Sequence, residues 1–309
     1  MMYKRLALIF GLMFLSSSLF AEETKPEAES DQQISDFSLA GFADKGKKSW
    51  DLAGKTADIF DNVIKLKDVV GNMYGESENI KLTANKGDFD KTEGKVHLED
   101  KVVITTSSGA KLTTESLDWD RKNQVVSTDQ KVNIERENMI ATALGAIGQP
   151  SLNKVNLVKD VQVEIESAKK EGESSDSSKS KIIITCDGPL EVDYQNNIAT
   201  FRNNVKVDNK DALIYSDIMD VYFAKPGKDA PVKEPPKKDA AGTGAAPSLM
   251  GSKIEKLVAR GNVKIVKGEN TSYSDEATYL SADKKIILTG KPRLVLYSTD
   301  DLKGVMTGE

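Results

Sequence analysis

The sequence predicts an all-β fold, and three observations carry that prediction. The first is a nine-residue phrase, clearest at Leu257–Ile265. There Leu257, Ala259, Gly261, Val263 and Ile265 alternate with Val258, Arg260, Asn262 and Lys264. Alternation of period two belongs to a strand with one buried and one wet face. The second is recurrence: the phrase returns at 96–104, 126–134, 155–163, 199–207 and 286–294. Over these six copies the first, third, seventh and ninth positions are apolar in 22 of 24 cases, the second, fourth, sixth and eighth in 4 of 24. A helical period does not segregate the two sets this way. The third is that no long stretch beyond residue 21 carries helical periodicity.

The fifth position interrupts the apolar row in every copy, with Asp100, Gln130, Lys159, Asn203, Gly261 and Gly290. A polar residue or glycine midway along a buried face predicts a bulge, a bend or an exit to the rim. The copies are spaced by 30, 29, 44, 58 and 29 residues, and the two long spacings each contain an insertion. A unit near 29 residues therefore repeats through the chain, and such repetition outranks any single motif as a fold signal.

Taken in order, residues 1–21 read as an export segment, with Lys4 and Arg5 before the apolar Leu6–Leu15. It is either a cleaved signal peptide or an uncleaved N-terminal anchor. Residues 22–47 are polar and read as a flexible tether. A first β-module is expected over 48–166, with strand-like material beginning at Trp50. Further strands such as Lys111–Trp119 and Asp211–Phe223, shorter than the phrase strands, should lie between phrases, linked by turns like Ser107-Ser108-Gly109 and Asp208-Asn209-Lys210. Residues 167–180, rich in Ser, Lys and Glu, are expected to be a solvated hinge loop. A second module over 181–309 carries its own Pro-, Ala-, Gly- and Lys-rich loop at 225–252, a composition that builds no core.

Composition removes several function classes. The formal net charge is −5, and −7 without Lys4 and Arg5, with no basic stripe to bind nucleic acid. His97 is the sole histidine and falls on the polar parity with Glu99 and Lys101, where a solvated side chain is favoured over a catalytic one, and a pair of His-based triads or a multi-histidine metal site is excluded. Cys186 is the sole cysteine and shares parity with Ile182 and Ile184, as a small buried residue would. Asp118 and Asp120 flank Trp119 as a solvated strand face does. The sequence calls for no cofactor and no metal, and for no enzyme.

What remains is apolar surface in rows. Rows that face a cleft suit an acyl chain: each buried methylene contributes about 0.8 kcal/mol, so a dozen supply on the order of 10 kcal/mol before costs. Rows that face each other are ordinary sandwich core. Resemblance bears on this choice. The carboxy-terminal module, through Cys186–Leu190, Ala199–Val207, Ser216–Phe223, Ala259–Ile265, Ser274–Tyr279 and Leu288–Leu294, resembles the OstA-type β-jellyroll of periplasmic lipopolysaccharide-transport bridge proteins, the LptA type. The amino-terminal module, through Trp50–Leu52, Leu66–Val69, Leu82–Ala84, Gly109, Leu112, Thr114, Leu117 and Trp119, resembles their inner-membrane-associated LptC type.

The resemblance implies tandem antiparallel jellyrolls, V-shaped, each with an open acyl-binding groove between two sheets. It implies stacking of modules edge to edge by β-augmentation. Its partners would be lipopolysaccharide, through the lipid A acyl chains, or a related glycolipid, with an inner-membrane ABC exporter at one end and an outer-membrane translocon at the other. The place would be the periplasm, with the N-terminus as a tether to the inner membrane. The groove residues expected are Val96, Leu98, Val102, Ile104, Leu112, Trp119, Val132, Ile134, Leu157, Val161, Val163, Phe201, Val205, Val207, Leu257, Val263, Ile265 and Leu288. A charge at Val102 or Val263 is expected to abolish lipid capture while the module stays folded. The rival readings are a periplasmic β-scaffold with a dry core and a carbohydrate-active β-protein using scattered carboxylates.

Overall fold

The structure is a computed structural model that describes residues 32–43, 46–75, 78–136, 138–149, 152, 154–166, 181–224 and 254–297. The export segment 1–21, the first part of the tether, the hinge loop 167–180 and the loop 225–252 lie outside the described residues.

The described chain is a meander of antiparallel strands. The first nine are β1 (Gln32–Phe42), β2 (Lys48–Ile59), β3 (Val63–Tyr74), β4 (Asn79–Asp90), β5 (Lys95–Thr106), β6 (Lys111–Asp120), β7 (Val125–Arg136), β8 (Met139–Gln149) and β9 (Lys154–Glu166). They are followed by β10 (Lys181–Cys186), β11 (Leu190–Asp193), β12 (Ile198–Asn209), β13 (Ala212–Phe223), β14 (Ile254–Lys267), β15 (Asn270–Leu280), β16 (Lys285–Thr289) and β17 (Arg293–Val295). Apart from β10 with β11 and β16 with β17, consecutive strands pair with each other. The short pairs β10/β11 and β16/β17 each act as one strand broken at its middle. All seventeen belong to a single sheet.

Two expectations change here. Gln32–Phe42, read as tether, form β1 and pair along β2 from Gln32↔Ile59 to Phe42↔Lys48. Its apolar residues Ile34, Leu39 and Phe42 are exposed, so this edge strand shows no apolar-inside alternation to read. The interleaved strands are also not uniformly shorter: β13 has 12 residues, as many as β5, β7 and β12. The repeat near 29 residues is thus one hairpin, a phrase strand plus its partner.

The interrupted fifth position is a bend. Asp100, Asn203, Gly261 and Gly290 all have positive φ, between 64° and 74°, and in β9 the same conformation falls on Asp160, one residue past Lys159. Asp, Asn and Gly adopt the left-handed region most readily, which explains why those types hold the position. β7 is the exception: no left-handed residue stands at Gln130, and its ladder with β8 shifts register between Thr128 and Lys131. Further left-handed residues at Asp36, Asp68 and Gly188 extend the row across the sheet.

The row of bends divides the sheet into two arms, and side chains of both arms share the same interior. In the C-terminal half, Ala141, Val163, Ile184, Val207, Ile214 and Ile265 are successive register partners across arm A. Ala146, Leu157, Leu190, Phe201, Met219 and Ala259 are their counterparts across arm B. All twelve belong to one hydrophobic cluster. The walls of the groove are therefore two halves of one folded sheet rather than two separate sheets. A second cluster runs from Phe37 to Trp119 and is built the same way. The two clusters meet along β7, where Val132 belongs to the C-terminal cluster and Val126 packs on the Phe37–Trp119 cluster.

The hairpin ends on arm B repeat a small device. Asp90, Asp120 and Asp193 each close a strand, and each carboxylate accepts a backbone N–H from the following turn, at 2.8 Å from Thr92, 2.9 Å from Asn123 and 3.0 Å from Asn196. The turns end on left-handed Gly94, Gln124 and Asn197. Neighbouring turns are tied together, Lys91 N donating to Asn62 O at 2.9 Å and Arg121 N to Gly94 O at 3.4 Å.

Candidate lipid groove

Of the eighteen residues expected in the groove, twelve are buried: Val96, Leu98, Val102, Trp119, Val132, Leu157, Val161, Val163, Phe201, Val205, Val207 and Val263. Ile104, Ile134, Leu257, Ile265 and Leu288 are half-buried and pack against the same clusters. Leu112 is half-buried but is not among the residues packed on either cluster. Each phrase contributes its first and third positions to arm B and its seventh and ninth to arm A, because the bend lies between them. Val96 and Leu98 face Trp119 and Leu117 on arm B, while Val102 and Ile104 sit beside Thr114 and Leu112 on arm A.

The space between the arms is narrow. In the C-terminal cluster it amounts to a cavity of about 40 Å³, walled by Met139, Val163, Ile165 and Ile184 from arm A and by Leu190, Phe201, Val221 and Phe223, among others, from arm B. Ligand pockets span about 300–1,000 Å³, so the arms are closed on each other here. Only Val163 and Phe201 of that lining were expected. The others lie mostly on strands between phrases, where the available signal was the weaker alternation of Ile182, Ile184 and Cys186 or of Met219, Val221 and Phe223. A wider hollow of about 210 Å³ at the ends of β3, β4 and β5 is open, with Met73, Tyr74 and Ile80 in its lining beside polar residues such as Asn72, Asn79 and Ser107.

At the free ends of the strands the arms touch through aromatic and cationic side chains. Trp50 of arm A and Trp119 of arm B meet edge to face, ring centres 6.1 Å apart, although four strand pairings separate β2 from β6. The Arg121 guanidinium lies over the same Trp50 ring at 4.1 Å and over Phe89 at 5.0 Å. Burial pushes the Arg121 pKa down. In the C-terminal cluster, burial raises the Tyr194 phenol, against the opposing influence of the Arg136 charge. Arg136 is buried and donates to Ser108 O at 3.3 Å.

Residues considered for chemistry are otherwise occupied. His97 pairs with Asp118 across the β5–β6 register, Nδ1 to Oδ1 2.7 Å, on the exposed face. Cys186 is buried in the C-terminal cluster and burial raises its thiol pKa. Asp120 closes its turn, and hydrogen bonds from Asn123 hold its carboxyl below the ordinary range. Among the described residues no group of three or more His, Cys, Asp or Glu is placed to hold a metal ion, and no helix is long and apolar enough to cross a membrane.

The two halves of the chain are joined strand to strand. β9 pairs with β10 from Lys181↔Glu166 to Cys186↔Val161 and with β11 from Leu190↔Leu157 to Asp193↔Lys154. The ladder carries the arm A and arm B rows across without a break. At the outer ends, β1 exposes Ile34, Leu39 and Phe42, and β16–β17 with the following loop expose Ile286, Ile287, Leu294 and Tyr297. Among the described residues, β1 pairs only with β2, and β16 and β17 only with β15, which leaves edges of the kind that accept a further strand.

Comparison with known families agrees with this two-part architecture. Residues 6–166 match the family described as lipopolysaccharide-assembly, LptC-related, and residues 188–308 match the LptA/(LptD N-terminal domain) LPS transport protein family. No curated protein matches the chain. These are families of non-enzymatic periplasmic bridge proteins, whose partners are lipopolysaccharide and other bridge components. With the first match spanning more than half of its length, this chain belongs to the LptC-related lipopolysaccharide-assembly family and carries an LptA-type second half.

Proposed function

We propose that the chain carries lipopolysaccharide by its acyl chains between the two arms and hands it from the LptC-type half to the LptA-type half along one continuous wall. The observation that supports this reading is the unbroken pair of apolar rows across the β9–β10/β11 joint, where Val163↔Ile184 and Leu157↔Leu190 continue both arms. The eighteen residues named from the sequence are the proposed lining. The 40 Å³ cavity requires the arms to part before a chain enters, and the apolar area exposed by parting is what the acyl chains then cover. The open edge of β1 would face the inner-membrane ABC exporter and that of β16–β17 the outer-membrane translocon, with the N-terminus as tether.

The same small cavity favours a second reading, a dry scaffold whose arms never open. Native mass spectrometry with lipid extraction separates the two, using the full mature chain purified from its own envelope without detergent. A bound phosphorylated, multiply acylated glycolipid is the expected result. A clean apo mass that persists after incubation with lipopolysaccharide refutes the carrier reading and leaves the scaffold.

A further inference from the structure

Arg121 stands at the mouth of the N-terminal part of the groove and, among the described residues, forms no ion pair with an acidic side chain. It opens the turn after β6, and its guanidinium rests on Trp50 and Phe89, one ring from each arm. Its Nε is buried and has no hydrogen-bond partner. Burial lowers its pKa, and among the described residues no acidic side chain is in an ion pair with it. A buried donor without an acceptor is destabilising and calls for a group that completes it. The two rings hold the guanidinium in place at 4.1 Å and 5.0 Å, and a planar fork of N–H groups matches a phosphate in a way a lysine ammonium does not.

The position selects the ligand. An amphiphile with its chains between the arms has its headgroup at the strand ends, where Trp50, Trp119 and Arg121 meet. We propose that Arg121 docks a phosphate monoester of that headgroup, held on the Trp50 and Phe89 rings at the groove mouth. The inference rests on the reading that the groove holds acyl chains, and adds the headgroup chemistry to it. Lys122, the next residue, provides the internal control: it is exposed, and its Nζ donates to Thr92 O at 3.1 Å on the turn surface.

The test offers the full mature chain two probes, a multiply acylated glucosamine disaccharide bearing both phosphates and the same disaccharide with the phosphates removed. Bound amounts are read by native mass spectrometry. The expected result is a preference of about tenfold for the phosphorylated probe in the wild type, the size of a charge-assisted hydrogen-bond pair. Arg121→Met should abolish the preference while capture of the unphosphorylated probe persists, and Lys122→Met should keep it. An Arg121→Met protein that still discriminates, or a wild type that does not, overturns the proposal while leaving the acyl-chain groove intact. A wild type that captures neither probe overturns both. Should Arg121→Met lose both probes, Arg121→Lys decides: a severalfold smaller preference is expected, and an unchanged one overturns the proposal.

Discussion

Gly188 holds the joint between the two halves, and replacing it with alanine tests that joint directly. The residue sits where β10 breaks into β11, with φ +104°. A Cβ built there lies 2.3 Å from Val158 O and 2.7 Å from Lys159 Cα, both backbone atoms of the facing β9. Neither can rotate away, so β9 itself must shift. Gly109 provides the comparison, since its φ is +87° and its Cβ would meet nothing within 4 Å. Both substitutions incur a left-handed penalty of about 1–2 kcal/mol, offset by about 0.4–1 kcal/mol of unfolded-state entropy. Gly109→Ala should therefore cost about 1 kcal/mol or less. Gly188→Ala adds the displaced ladder, including Asp160 N→Asp187 O at 3.1 Å and Gly188 N→Arg202 O at 3.3 Å. At about 1 kcal/mol per hydrogen bond, its total reaches about 3 kcal/mol. Urea titration can follow two probes: thiol labelling of Cys186 reports the joint, and tryptophan fluorescence reports Trp50 and Trp119, both in the N-terminal cluster. With a slope of about 2 kcal/mol/M, the Cys186 transition should move down by about 1.5 M and the fluorescence transition by much less. Equal costs for Gly188→Ala and Gly109→Ala would refute the argument from close approach.

Three further outcomes follow from burial and charge. Val102 and Val263 are fully buried, so Val102→Asp or Val263→Asp places an unpaired carboxylate in a closed core at a cost of several kcal/mol. Protease sensitivity of the host cluster is expected, in place of the folded, lipid-blind protein that the sequence led one to expect, and a protease-resistant variant would show that the arms admit water at those positions. Leu190 is fully buried against the cavity, so Leu190→Ala should destabilise by about 3 kcal/mol, and a loss under 1 kcal/mol by urea titration would mean the arms are already parted. The Asp120 carboxyl is held low by Asn123, and Asp193 lies below its ordinary range because the bonds from Asn196 and the charge of Lys154 outweigh its burial. Groups lowered on folding contribute stability above their unfolded pKa of about 4 and lose it as pH falls through the lower folded values. The melting temperature should hold from pH 7 to 5 and drop below pH 4, less steeply in Asp120→Asn/Asp193→Asn, and an identical acid limb in that variant would count against the turn carboxylates.

The phrase strands were legible because period-two alternation and a left-handed bend leave separate marks, one in the apolar rows and one in the Asp, Asn and Gly of the fifth position. The interleaved strands read less well for a physical reason. Beside the bend they carry Thr114, Ser216 and Ser274, the register partners of Val102, Val205 and Val263. These hydroxyl residues are buried with no hydrogen-bond partner for the oxygen. The arms converge there, so a small side chain fits where a larger one does not, and the apolar row that would have announced the strand is interrupted. β1 was missed because an edge strand with one buried residue, Phe37, has no inner row to show. The cation–aromatic contacts at the mouth left no trace in the spacing, since Trp50, Phe89 and Arg121 come from three separate hairpins and meet only when the sheet folds over.

The continuity of the sheet changes what stacking means for this chain. Two separate chains would depend on one edge finding another in solution, whereas here the LptC-type and LptA-type halves share a ten-pair ladder from Lys181↔Glu166 to Asp193↔Lys154. Only fourteen residues of sequence, 167–180, lie between β9 and β10. A connection that short keeps the effective concentration of one edge for the other near the millimolar range, so the joint forms at any dilution of the protein. A strand from another chain added at β1 or at β16–β17 would instead join in a bimolecular step. The inner joint is thus fixed by covalent connection.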